Sequence, residues 1–159
     1  MRLGYKVIVT ELNETKIKIA ERLGAIPAVV QGDLDDQTEM LSRIWTQHEV
    51  VSVFECAGTS FTASVSTAAA PRGSEIILVG LAENDATFKP LKIARAGIKI
   101  LPSIIYDHPF DFKRILHLIQ MKVIEPGMIV SRKMPFDQIE SALKLGSEGD
   151  ETKIVIEMN

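Results

Sequence analysis

Cysteine is almost absent: Cys56 is the single one in 159 residues. A lone thiol cannot close an internal disulfide, which suits a reducing compartment and makes the cytoplasm the expected location. The three histidines, His48, His108 and His117, contain no i, i+4 pair, and there is no Cys-x-x-Cys. A metal site built from this chain therefore has no support. No Gly-x-Ser-x-Gly surrounds a serine, which removes the usual setting of an activated hydroxyl nucleophile. No Gly-x-Gly-x-x-Gly occurs either. No apolar run approaches the roughly 20 residues of a membrane span. The first residues, Met-Arg-Leu-Gly-Tyr-Lys, lack the apolar centre of a signal peptide. With a formal net charge of -3, the chain has no electrostatic case for nucleic acid or an anionic membrane.

What is present is ordinary globular composition, 46% apolar and 25% charged, in a length that suits one domain with a sizeable core. The stretch Tyr5 to Glu11 carries the most information. Val7-Ile8-Val9 is a continuous apolar run, which suits a strand covered on both faces in a parallel sheet. It ends at a carboxylate, where a doubly wound fold holds a nucleotide ribose.

Strand and helix then alternate. A strand at Lys6 to Thr10 follows the tail Met1 to Gly4, and Asn13 caps a helix from about Glu14 to Leu23, closed by Gly24. Ala28 to Val30 is a short strand after Pro27. Asp35 or Asp36 caps a helix from about Gln37 to Gln47, with Met40, Leu41, Ile44 and Trp45 inward. Val50 to Cys56 is a strand, and Thr59 or Ser60 caps a helix of small residues from Phe61 to Ala70. Glu75 to Gly80 is a strand, Leu91 to Ala96 a short helix, and Ile98 to Ile105 an edge strand interrupted by Pro102. Helices at Phe110 to Met121 and Phe136 to Leu145 follow, with Phe112, Ile115, Leu116 and Ile119 inward on the first and Ile139, Ala142 and Leu143 on the second. Lys153 to Glu157 is a last strand. The pattern is an α/β fold, mostly parallel, with helices on both faces and no linker dividing the chain.

In such a sheet ligands sit outside the carboxyl ends of the strands. Those ends are Glu11, Gln31 to Asp33, Cys56-Ala57-Gly58, Val79-Gly80-Leu81 and Ser103 to Ile105. Glycine at two of them lets a ligand approach the backbone. Glu11 has the one obvious charge role: a carboxylate accepts hydrogen bonds from a ribose diol and repels a 2′-phosphate, which favours NAD over NADP. On the residues alone a solvated strand-end acid is the more ordinary reading, and the ribose role stays open beside it. Cys56 reads as an inert core thiol, and the three histidines as structural or surface groups.

The order of these pieces resembles the carboxyl-terminal half of the zinc-type medium-chain alcohol dehydrogenases, most of all the polyol, butanediol and threonine dehydrogenase branch. The pieces are Val7 to Glu11, Ala20 to Ala25, Val53 to Gly58, Arg72 to Gly80, Tyr106 with Asp111-Phe112, Ile129 to Ser131, Ile139 to Ala142 and Lys153 to Ile156. The resemblance implies a Rossmann-like fold in which residues 1–159 are part of a dinucleotide-binding domain, including its last helix and strand, with the first strand and the glycine loop missing. It implies that Glu11 holds the adenosine ribose of NAD. Cys56, Ala57 and Gly58 would line the adenosine side, and Val79, Gly80 and Leu81 would pass beside the nicotinamide. Ser103 and Ile105 would meet its carboxamide, and Lys153 would lie near the pyrophosphate. The Ile98 to Leu101 strand would pair two copies edge to edge. Zinc would be held in a catalytic domain that these residues do not include.

The implied function is the NAD-binding portion of an oxidoreductase acting on a secondary alcohol or polyol, inactive alone. A non-catalytic module for dimerisation or weak nucleotide binding is the alternative. Another Rossmann-like class, such as a methyltransferase, is a third. The strand ending at Glu11 either pairs directly with the one ending near Gly58 or takes a partner from outside these residues.

Overall fold

The computed structural model describes residues 3–158. The elements run β1 (Ile8–Glu11), α1 (Glu14–Arg22), β2 (Ile26–Val29), α2 (Leu34–Gln47), β3 (Ser52–Glu55), α3 (Ser60–Ala69), β4 (Glu75–Leu78), α4 (Pro90–Ala96), β5 (Lys99–Pro102), α5 (Phe110–Gln120), β6 (Arg132–Pro135), α6 (Ile139–Glu148) and β7 (Ile154–Glu157). Short 3-10 turns at Pro126–Ile129 and Phe136–Gln138 precede β6 and α6. All pairings among the described strands are parallel, and the α/β reading holds. The strands form three sheets, β1-β2, β3-β4-β5 and β6-β7. Direct pairing of β1 with β3 does not occur among the described residues. Met1 and Arg2 of the expected tail lie outside them.

The chain forms two compact units, one from Val30–Asp107 and one from Met1–Val29 with His108–Asn159. In the first, Val53, Ile76 and Ile100 stand in one register row, as do Glu55, Leu78 and Pro102. Val53 and Ile76 are buried, Ile76 completely, and α3 packs on β3 and β4. Its buried residues Ala63, Ser64, Val65, Ser66, Thr67 and Ala69 are all small, so the helix sits close to the sheet and to α2. Leu41 and Trp45 of α2 are buried, and Ser42 donates to the Ala69 carbonyl. The cap of α2 is Asp33, earlier than expected. It forms a reciprocal box with Asp36, each carboxylate accepting from the other's amide or its neighbour's, and so adds a turn to the helix. The opposite face of β3 is open: Phe54 is 64% exposed.

In the second unit β2 follows α1 back to lie beside β1, with Ile17 and Ala20 buried beneath the helix. Asn13 caps α1 as expected, accepting from Thr15 and Lys16. Pro27 falls inside β2, in register with Val9. Its neighbour Ile26 donates to Val7 across the pair, so the missing proline amide lies on the outward side, where it costs nothing. The strand β6 was not anticipated. Arg-Lys-Met-Pro carries one apolar residue facing inward, Met134, too little for a periodic signal; β7 and α6 hold it.

Two expected apolar faces are corrected. No residue of α5 is fully buried: Phe112, Ile115 and Leu116 are exposed, Phe112 by 62%, and of the expected stripe only Ile119 is half-buried. On α6 Ala142 is buried but Leu143 is 70% exposed, because one residue's step on a helix turns about 100° away from the packed side.

Candidate functional site

The sequence candidates fall into two groups, one in each unit. In the unit carrying β1, Glu11 is the last residue of the strand and half-buried. Its Oε1 accepts from the Leu12 amide at 2.8 Å and the Asn13 amide at 3.1 Å. The carboxylate is thus pinned by the turn that opens α1, and Oε2 has no hydrogen bond among the described residues. Asn13, whose side-chain oxygen caps α1, uses its Nδ2 on Asp150 Oδ1 at 3.2 Å, tying the start of α1 to the turn before β7. Lys153 also precedes β7. Its main-chain carbonyl accepts from Ser131, and its ammonium is exposed with no ion pair among the described residues.

In the other unit the register brings three strand tips together. Glu55, Leu78 and Pro102 are neighbours across β3, β4 and β5, so Cys56, Val79 and Ser103 follow at adjacent positions. The Ser103 amide continues the ladder onto the Leu78 carbonyl at 3.0 Å. Val79, Leu81 and Ile105 are exposed, and Leu81 begins the polar loop that the Thr87 amide anchors to Ser64 of α3 at 2.9 Å.

The two glycines do something other than expected. A Cβ on Gly80 would stand 2.2 Å from the Gly58 nitrogen and 2.5 Å from its Cα. The space beside Gly80 is filled by the Gly58 backbone, so glycine here lets the two strand tips touch. Room for a ligand is not what requires it. Gly58 also has φ +69°, which suits glycine.

Cys56 is another correction, since the residue is exposed. It still reads as unreactive, for a different reason. Desolvation by its neighbours, and then the negative charge of Glu55, push its thiol above the ordinary value, which keeps it protonated. His48 is the C-cap of α2, His108 lies 6.4 Å from the Phe112 ring, and His117 is exposed on α5.

The residue the sequence reading passed over is Glu55. Its place within the Val53 to Gly58 stretch assigns it no role. It is a carboxylate only 4% exposed, with no ion pair among the described residues. The signal was available: an acid closing the apolar stretch Val50 to Phe54 must be satisfied by something nearby.

A profile of the zinc-binding dehydrogenases matches residues 2–121. The chain belongs to the zinc-binding dehydrogenase family. A D-arabitol-phosphate dehydrogenase of Enterococcus avium is 24% identical over 160 residues, covering 99% of this chain and 45% of that protein. An alcohol dehydrogenase from E. coli CFT073, complexed with NADH, superposes with a TM-score of 0.80 at 14% identity, over 96% of this chain and 44% of that one. A zinc-binding dehydrogenase of Sinorhizobium meliloti 1021, bound to NADP, gives 0.79 at 25% identity, over 95% and 44%. The chain thus spans a little under half the length of these relatives. Among its described residues no three His, Cys, Asp or Glu gather to hold a metal ion, so these residues do not fit a zinc site. No helix among them is long and apolar enough to cross a membrane.

Proposed function

We propose that residues 1–159 act as the NAD-binding part of a zinc-dependent dehydrogenase that oxidises a secondary alcohol or polyol. Family membership supports the reaction class, and the arabitol-phosphate enzyme among the relatives supports a polyol. The observation that carries the choice of cofactor is the geometry of Glu11. Its Oε1 is fixed by two backbone amides while Oε2 stays open to accept from a ribose hydroxyl. A fixed carboxylate there repels a 2′-phosphate, which favours NAD although one structural neighbour is bound to NADP.

In this reading Glu11 takes the ribose and Cys56, Ala57 and Gly58 form the shelf for the adenosine. Val79, Gly80 and Leu81 pass the nicotinamide, Ser103 and Ile105 meet its carboxamide, and Lys153 faces the pyrophosphate. NAD supplies the hydride acceptor when bound. What this chain's residues do is hold and orient the nucleotide. The sequence contains no Gly-x-Gly-x-x-Gly, so the pyrophosphate receives no amide cradle from them.

We also place the protein in the cytoplasm, in keeping with its single cysteine, and assign homodimerisation to the Ile98 to Leu101 edge. The edge geometry supports a second copy. Lys99 and Ser103 donate inward to Ser74 and Leu78, so alternate amides point outward. The Ile98 amide is taken by Ile93, and Pro102 has none. Ile100 therefore carries the one outward donor, and an antiparallel pairing centred on it exchanges both main-chain bonds.

Calorimetry with NADH, NADPH and S-adenosylmethionine tests the assignment. NADH should bind, with a Kd weaker than about 1 μM for want of the glycine loop, and NADPH at least tenfold more weakly. Glu11→Gln should narrow that gap. Equal binding of NADPH, or binding of S-adenosylmethionine alone, would overturn the proposal. Clear turnover of a polyol by these residues alone would overturn the division of labour. If no nucleotide binds but the chain dimerises, the non-catalytic module is the better reading.

A further inference from the structure

Glu55 combines features that a structural acid in a strand does not need. Its Oε1 accepts three hydrogen bonds: from the Ala57 amide at 2.9 Å, the Gly58 amide at 3.0 Å and the Thr62 hydroxyl at 2.8 Å. Its main-chain carbonyl accepts two more, from the amides of Val79 at 2.9 Å and Gly80 at 2.8 Å. Its Oε2 lies where a Cβ on Gly80 would come within 2.8 Å. One residue thus joins the turn after β3, the first turn of α3 and the tip of β4.

We propose that Glu55 is the positioning residue of the nucleotide shelf. It sets the height of Cys56, Ala57 and Gly58 relative to Val79 and Gly80. The proposal rests on the NAD reading for what the shelf carries, but the clamp itself stands on the contacts above.

The clamp has a consequence for specificity. Two successive amides in such a turn commonly make a concave site for an anion. Here both amides point inward at a carboxylate, and the negative charge lies directly beneath them. These two amides are therefore taken and not offered to a phosphate, and the turn presents an acidic underside. The shelf accepts an uncharged ring, the adenine, and turns phosphate away to other parts of the site. The carboxylate of a protein side chain occupies the place that a ligand's anion would take in a phosphate-binding loop.

The test uses the full chain with Glu55→Gln, Glu55→Ala and Thr62→Val, followed by two readouts. The first needs no cofactor: amide hydrogen exchange at Ala57 and Gly58, with Leu41 and Trp45 in α2 reporting global opening. Glu55→Ala should speed exchange at Ala57 and Gly58 at least tenfold more than at Leu41 and Trp45. Glu55→Gln, whose amide oxygen can still accept all three bonds, should preserve most of the protection. Thr62→Val should fall between, and serves in its place if Glu55→Ala does not fold. The second readout is affinity for NADH and AMP. Glu55→Ala should weaken both by about tenfold or more, a loss of about 1.4 kcal/mol. Glu55→Gln should restore them to within about threefold, less than half of that loss on the same logarithmic scale.

Unchanged local protection in Glu55→Ala, or equal loss in α2, would overturn the clamp. Normal protection in Glu55→Gln with full loss of AMP binding would overturn the positioning role in favour of charge. If the wild-type chain binds neither NADH nor AMP, the NAD reading fails, and the exchange measurement alone decides whether Glu55 is a clamp.

Discussion

Replacing Gly80 with alanine should be far worse than replacing Gly73, although Gly73 has the more unusual backbone. Gly73 has φ +75° and nothing within 4 Å of its missing Cβ. Alanine there meets conformational strain and no collision, which costs about 1–2 kcal/mol. Gly80 has no left-handed φ, but its Cβ would stand 2.2 Å from the Gly58 nitrogen, 2.5 Å from its Cα and 2.8 Å from Glu55 Oε2. Carbon contacts settle near about 3.5–4.0 Å, so the tips of β3 and β4 must part by about 1 Å. Overpacking of this kind costs about 1–3 kcal/mol, and two of the three obstructing atoms are backbone that cannot swing aside. Parting the tips also stretches the bonds from Val79 and Gly80 to the Glu55 carbonyl, each worth about 1 kcal/mol. The total is about 3–5 kcal/mol, a large part of the roughly 5–15 kcal/mol that holds a domain together. Urea unfolding followed by circular dichroism measures it. With a slope of about 2 kcal/mol/M, Gly80→Ala should lower the midpoint by about 2 M and Gly73→Ala by less than about 1 M. A Gly80→Ala midpoint no lower than that of Gly73→Ala would refute the reasoning, and with it the contact between the two glycines.

Three other outcomes are expected. Gly146 lies inside α6 and its Cβ would meet Ile154 Cδ1 at an ordinary 3.9 Å, so Gly146→Ala should stabilise the chain by about 0.5–1 kcal/mol in the same urea assay. Cys56 is exposed, yet desolvation and Glu55 hold its thiol above the ordinary range. Alkylation by iodoacetamide at pH 7 should therefore run slower than for free cysteine, rise about tenfold per pH unit below its pKa, and quicken in Glu55→Gln; a rate above that of free cysteine at pH 7 would contradict the assignment. On the proposed β5 interface, Ile100→Pro removes the outward amide and should lower the assembly to monomer in light scattering after gel filtration, whereas a dimer retained in that variant would move the interface elsewhere.

The elements were legible wherever an apolar period or a cap chose them. Asn13 announced α1, and the run Ile76-Ile77-Leu78 announced β4, because one side chain or one continuous core contact suffices to place each. What was not legible depended on partners distant in sequence. Strand β6 has one buried side chain, Met134, and exists because β7 lies beside it. The stripe on α5 is amphipathic, as its spacing implies, but a sequence cannot tell an apolar face that is covered from one that stands largely open. Asp33 displaced Asp35 and Asp36 as the cap of α2 because Asp36 was better used to close the box from inside the helix.

The glycines that follow the strands were legible in the sequence, but the reason for them was not. Strand ends at glycine are expected to admit a ligand, yet β3 stops at Glu55 and β4 at Leu78, so Gly58 and Gly80 lie in the turns beyond them. Yet a glycine's missing Cβ marks close approach without saying of what. At Gly80 the approaching group is the Gly58 backbone, held there by Glu55. That changes what substitution can report. Loss of nucleotide binding in Gly80→Ala would not show that the nucleotide touches Gly80, because the tips would already have moved apart. Glu11 does not carry this ambiguity: its Oε2 takes no hydrogen bond from the described residues, and Glu11→Gln leaves Oε1 an acceptor for Leu12 and Asn13. A change in the ratio of NADH to NADPH affinity in that variant isolates charge from shape, and it is therefore the stronger evidence on the cofactor.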